Sequence, residues 1–107
     1  MNRFAQYEER ANQDLKEIFD YLDQRNEVAA DRFYDAVERT VQQLLSMPNI
    51  GERCHFRNPQ TKGMRMWLVA GFSNYLIFYR VQGNTLQILR IIHGARDYAA
   101  MFDGEHG

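Results

Sequence analysis

The chain is nearly without cysteine: Cys54 stands alone among 107 residues. No intramolecular disulfide can form, which fits a reducing compartment. With one thiol and the scattered histidines His55, His93 and His106, the paired ligand spacings of a zinc site are missing too. Long apolar runs are absent. The strongest, Tyr75–Tyr79, falls far short of the ~20 residues that cross a bilayer. Met1 to Arg10 is polar and charged, so no secretory leader is expected. No glycine-rich phosphate loop appears, Gly71 and Gly94 being isolated turn residues, and there is no cofactor signature. These absences point to a cytoplasmic protein with no metal, no cofactor and no membrane partner.

Negative charge is also missing, but only from one half. Between Arg53 and Arg96 there is no Asp or Glu, while Arg53, Arg57, Lys62, Arg65, Arg80, Arg90 and Arg96 fall there. Glu8 to Glu52 carries a surplus of acids, among them Glu8, Glu9, Asp14, Glu17, Asp20, Asp23 and Asp31. The net charge of −1 conceals this division. A basic half suits an anionic partner, nucleic acid or an acidic protein segment; it also suits pairing with the acidic helices inside the monomer. At 45% hydrophobic and 25% charged, the composition is that of a folded domain, and the length allows one, spanning residues 1–107.

Arg3–Tyr7 alternates weakly, as a short opening strand does. The period then changes. Ala11, Leu15, Ile18, Phe19 and Leu22 form one stripe of an amphipathic helix. Asn26 breaks it, and Glu27 opens a second helix with the stripe Ala30, Phe33, Tyr34, Val37, Val41, Leu44 and Leu45. Pro48, Asn49 and Gly51 end that helix. The two should pack as an antiparallel hairpin. Glu52 to Gly63 reads as a loop. Met64–Val69, Asn74–Val81 and Thr85–His93 read as strands, with Gln82-Gly83-Asn84 as a tight turn. Arg96 to Phe102 predicts a last short helix, and Asp103–Gly107 a frayed end.

If Gly83-Asn84 is a two-residue loop, Val81 faces Leu86, Tyr79 faces Ile88 and Phe78 faces Leu89. One face then carries Tyr75, Ile77, Tyr79, Val81, Leu86, Ile88 and Ile92, with Arg90 among them. The other carries Leu76, Phe78, Leu89 and Ile91, edged by Arg80, Gln87 and His93. Both faces are apolar, and one helical hairpin covers only one. The second is either a partner site or is covered by the C-terminal segment.

Three stretches together resemble a known family. Ala11-x-x-Asp14-Leu15-x-x-Ile18-x-x-Tyr21 is similar to the opening helix of ParE-type toxins, and Leu45-x-x-Pro48-x-Ile50-Gly51 to their helix-ending signature. Tyr75–Val81 followed by Ile88–Asp97 resembles their most recognisable run. The chain is thus identified as a ParE-like member of the RelE/ParE superfamily. The resemblance implies an α+β fold of order β-α-α-β-β-β, an antiparallel sheet packed on a helical hairpin, with a short C-terminal helix. It also implies the toxin half of a type II toxin–antitoxin (plasmid-stabilization) system, acting by binding. The implied target is DNA gyrase, and the implied partner a ParD-like antitoxin forming a hetero-oligomer; no direct contact with nucleic acid is required.

The alternative on this fold is a RelE-like ribosome-dependent messenger-RNA endonuclease. Such chemistry needs Lys, Arg, Tyr or His converging on the open sheet face. Where those nucleases carry an arginine after the strand's opening Tyr, this chain has Leu76. Where they carry a C-terminal tyrosine it has Phe102, with Tyr98 out of place, and Trp67 or Arg65 stands where they use a lysine. Arg96 alone matches a phosphate-contacting position. A leucine neither neutralises a phosphate nor moves a proton, so the nuclease set is incomplete and no catalytic residue is expected. The residues expected to meet antitoxin or target are Arg65, Trp67, Leu76, Phe78, Arg80, Arg90, His93, Arg96 and Tyr98. Each has a plainer use. His93 can be a hydrogen-bonded strand end, Trp67 core, and Arg80 or Arg90 can pair with Asp14, Glu17 or Asp97. An interaction module without toxicity is a third reading.

Overall fold

The computed structural model describes residues 2–103. Its order is β1 (Phe4–Tyr7), α1 (Glu9–Asp23), α2 (Glu27–Ser46), β2 (Glu52–Arg53), a 3-10 turn (Pro59–Thr61), β3 (Arg65–Val69), β4 (Phe72–Gln82), β5 (Thr85–His93) and α3 (Tyr98–Asp103). Asn26 starts α2 as its spacing implies: its Oδ1 accepts the Val28 and Ala29 N–H groups at 3.0 and 3.2 Å. The predicted α+β architecture is observed.

The sheet runs β1-β5-β4-β3-β2. Its four C-terminal strands are antiparallel, as expected, and β1 adds parallel to β5. β2 lies inside the segment read as loop, a two-residue strand with no alternation to betray it. β4 also begins two residues early, at Phe72 rather than Asn74. The Gly83-Asn84 turn is as predicted: Gln82 pairs with Thr85, and Gly83 takes φ 58°.

Register is where the simple hairpin reading fails. Val81 meets Leu86 and Tyr79 meets Ile88, but Phe78 pairs with Arg90, leaving Leu89 as the extra residue of a bulge. Beyond it the alternation shifts by one. Ile91 joins the helix-side core and Ile92 the opposite cluster, the reverse of the expected faces.

The helical hairpin covers one face. Ala11, Phe33, Ala36, Val37, Val41 and Leu44 pack there on Ile77, Tyr79, Leu86, Ile88 and Ile91. Phe33 meets Phe72 and Tyr75 edge-on at centroid distances of 5.2 and 5.0 Å. The other face is covered by the C-terminal segment, which decides the question left open above. Phe102 lies 4.8 Å from Phe78 and stacks on Phe56 at 5.0 Å, and Tyr98 lies 5.3 Å from Phe78. α3 is pinned at its end, since Asp103 Oδ1 accepts the Arg57 and Asn58 N–H groups at 2.7 and 3.3 Å. Asn58 Nδ2 also donates to the Phe102 carbonyl. Asp103 is therefore ordered, contrary to the expected fraying; the rest of that tail, residues 104–107, lies outside the described residues.

Candidate functional site

Three of the four arginines expected to meet a partner, Arg65, Arg80 and Arg90, are used by the fold. Arg90 grips Asp14 with two prongs, Nε to Oδ2 at 2.7 Å and Nη2 to Oδ1 at 3.0 Å. The same Oδ2 accepts the Ile91 N–H at 3.0 Å. β1 has left the sheet by this point, its successor Glu8 donating to the Ile88 carbonyl, so the Asp14 carboxylate replaces a neighbouring strand. Arg65 donates to the Gly51 and Asn49 carbonyls at 2.8 and 3.3 Å, clasping the end of α2. Arg80 donates to Gln87 Oε1 and to the Gln60 carbonyl at 3.2 and 2.7 Å. Asp14 is the pairing partner that the first helix was expected to supply; Glu17 and Asp97 are not.

The apolar candidates divide between the two cores. Trp67 lies against the helix side, with Nε1 donating to Gln43 Oε1 at 3.4 Å. Leu76, Phe78 and Tyr98 belong to the opposite cluster under α3. Cys54 borders that cluster too; burial, helped by Glu52, pushes its thiol up to about 11, so it stays protonated and is a poor nucleophile.

His93 and Arg96 are the two candidates that share an open cleft. It has a volume of about 290 Å³ between α1 and the end of β5, and Glu17, Tyr21 and Tyr75 line it beside them. Its floor is the Asp14 side of the Asp14–Arg90 pair. His93 Nδ1 accepts the Ala95 N–H at 3.0 Å, which gives the neutral ring an Nε2–H donor. Tyr75 meets the imidazole edge-on at 5.0 Å. Burial raises the Tyr75 hydroxyl above its ordinary value, with Tyr21 adding to the effect. Arg96 is exposed and has no carboxylate within ion-pair distance among the described residues. Among the described residues the cleft therefore offers one unpaired arginine, one unpaired glutamate and three aromatic rings. Glu17, Tyr21 and Tyr75 were missed as site residues. Their signal was the Asp14, Glu17, Ile18, Tyr21 spacing, one stripe of α1 turned to the sheet edge.

The sequence model of the family described as the ParE toxin of the type II toxin–antitoxin system, parDE, matches residues 5–98. The chain belongs to the ParE toxin family. Two solved structures share this family member's fold. One, from the chromosomal ParDE system of P. aeruginosa, has a TM-score of 0.67 at 23% identity and covers 85% of this chain and 95% of that one. The other, from the E. coli DinJ–YafQ toxin–antitoxin complex, has a TM-score of 0.56 at 16% identity and covers 89% and 96%. No curated protein sequence matches the chain. Among the described residues no helix is long and apolar enough to cross a membrane.

Proposed function

We propose that this ParE-family chain is a cytoplasmic toxin that docks on DNA gyrase, blocks replication by binding rather than catalysis, and is neutralised by a ParD-like antitoxin. One observation carries the non-catalytic reading. The sheet face where a nuclease of this fold needs converging charged groups instead carries Leu76 and Phe78, with Phe102 of α3 packed on Phe78. Hydrocarbon at these positions supplies neither a phosphate clamp nor a proton carrier.

The antitoxin contact is assigned first to the α1–β5 cleft, through Arg96, His93 and the rings of Tyr21 and Tyr75. An acidic, aromatic-anchored tail suits that combination. Arg65, Arg80, Arg90 and Trp67 contribute to recognition by holding the surface in shape. Leu76 and Phe78 can contribute only where α3 moves aside, whereas Tyr98, on α3 itself, is partly exposed already.

The test mixes purified protein with gyrase and relaxed plasmid, and separately with translating ribosomes and messenger RNA. Inhibited supercoiling or gyrase-dependent breaks, with intact messenger, is the expected result. Cleaved messenger with unaffected gyrase would move the chain to the nuclease reading. No effect in either, and normal growth after induced expression, would leave an interaction module.

A further inference from the structure

The segment from Arg53 to Asn58 alternates strictly. Arg53, His55 and Arg57 are exposed, while Cys54, Phe56 and Asn58 are half-buried. Cys54 and Phe56 pack on the second core, and the Cys54 N–H donates to the Met64 carbonyl at 3.0 Å, carrying the extended backbone past β2. In an extended chain alternate side chains point the same way, about 6.6 Å apart. Glu52, the nearest acid, alternates to the Cys54 side. Facing the row, Lys62 and Arg65 close a cleft of about 280 Å³ with Arg53 and His55. Through His55 and Lys62 it continues into a second cleft of about 410 Å³, lined by Phe56, Asn58 and Thr61. No Asp or Glu lines either one.

These basic side chains have no internal partner. Among the described residues, the side chains of Arg53, His55, Arg57 and Lys62 make no hydrogen bond or ion pair with the protein, unlike those of Arg65, Arg80 and Arg90. The loop that carries them is nevertheless fixed. Arg80 holds the Gln60 and Lys62 carbonyls, Asn58 Oδ1 caps the 3-10 turn at Gln60, and Asp103 holds the Arg57 and Asn58 amides. A rigid row of unpaired cations loses little freedom on meeting a ligand.

We propose that this row is a nucleic-acid site, taking the phosphodiester backbone of a DNA or RNA strand along Arg53, His55 and Arg57, with Lys62 on its far side. A line of regularly spaced basic side chains suits the regular succession of charged phosphates along a strand. An acidic protein segment fits less well. Protein interfaces are built around an apolar centre, and the exposed large hydrophobic residues, Phe4, Tyr21, Val28, Tyr34, Met47 and Leu68, all lie elsewhere. Backbone phosphate contacts need no such centre. The exposed imidazole of His55 offers a face on which an unpaired base can stack. The site is separate from the α1–β5 cleft and does not depend on gyrase being the target.

The experiment measures fluorescence anisotropy of fluorescein-labelled 20-nucleotide single strands and duplexes with the full chain, between 50 and 200 mM NaCl. Binding should weaken with salt at a log–log slope of about −2 for single strands and about −3 for duplexes, as phosphate contacts from Arg53, Arg57 and Lys62 give. Arg53→Glu/Arg57→Glu/Lys62→Glu should lower affinity at least 30-fold, and the neutral Arg53→Gln/Lys62→Gln about 5- to 10-fold, both with unchanged circular dichroism. Arg32→Glu, on the exposed side of α2, should leave affinity within 2-fold. Three results overturn the site: no salt-dependent binding, an equal loss from Arg32→Glu, or a 20-residue polyglutamate binding as tightly as the oligonucleotides, which would assign the row to an acidic protein. With topoisomerase absent, failure here leaves the gyrase reading intact.

Discussion

Asp14 on α1 and Arg90 on β5 meet across 76 positions of sequence, and the Asp14 carboxylate holds the Ile91 amide as well. This ion pair is nearly dry: the two side chains are 13% and 5% exposed. Removing one partner therefore strands the other in a poorly hydrated place. Asp14→Ala should cost about 3–5 kcal/mol of stability in urea unfolding. The double change Asp14→Leu/Arg90→Met should cost clearly less, since it leaves no orphaned charge. A double variant as unstable as the sum of its singles would refute that account.

Tyr79 and Gly51 form a second fixed point. The buried Tyr79 hydroxyl donates to the Pro48 carbonyl at 2.8 Å and accepts the Gly51 N–H at 2.9 Å. A Cβ on Gly51 would sit against that hydroxyl, 2.8 Å from Tyr79 Cε1 and 2.9 Å from the Met66 carbonyl. Gly51→Ala should destabilise by about 1–3 kcal/mol through overpacking. Tyr79→Phe should do so by about 1–3 kcal/mol through two unpaired backbone groups. Because both act on one contact, the double variant should be less unstable than their sum. Strict additivity would show that the two are not coupled.

The α3 segment should behave as a cover. Phe102→Ala should cost about 2–3 kcal/mol, below the range for a core phenylalanine, because Phe102 is only partly buried. Asp103→Ala should loosen the same helix by freeing the Arg57 and Asn58 amides. Both variants should raise the fluorescence of an added hydrophobic dye, as Leu76 and Phe78 meet solvent. An unchanged unfolding midpoint and no dye signal in either would mean α3 covers nothing.

Alkali should unfold the protein by a definite route. Burial first, then Glu38 and Tyr34, pushes the Tyr7 hydroxyl up to about 12, and burial raises Tyr75 and Tyr79 in the same direction. In the unfolded chain these phenols ionise near pH 10. Between the two values the folded state holds more protons, so stability falls as pH rises. The midpoint should begin to fall near pH 9, where the unfolded Cys54 thiol ionises before the folded one, and drop further from about pH 10 toward 12 as the phenols follow. Tyr7→Phe should make that drop shallower; an identical alkaline profile would show that Tyr7 plays no part.

What the sequence disclosed and what it withheld follow different physics. The helices were legible because Ala11, Leu15 and Ile18, or Phe33, Val37 and Val41, repeat at the period that faces a core. The hairpin was legible because Gly83 supplies the backbone conformation its turn needs. The bulge at Leu89 was not, since it depends on a register satisfied by Arg90 and Asp14, far apart in the chain. Nor was the duty of Arg65 and Arg80, which bind main-chain carbonyls, groups that every residue carries equally. Burial of Leu76 and Phe78 beneath α3 hung on a short, weakly patterned tail. His93 and Arg96 were singled out by resemblance, yet the cleft around them is half built from α1, which no local motif connects to β5.

The parallel pairing of β1 with β5 bears on how the protein is born. Phe4 lies opposite Thr85 and Tyr7 opposite Ile88, so the earliest strand waits for the latest before its hydrogen bonds can close. On the ribosome, the two helices emerge with an apolar face and nothing to lay it on. Such distant closure is slow, and a message cut short before Thr85 yields a fragment without β5, the strand that joins β1 to β4, and so without the cleft. A protein harmful to its host gains from this arrangement, because its surface is assembled only once nearly all of it has been made.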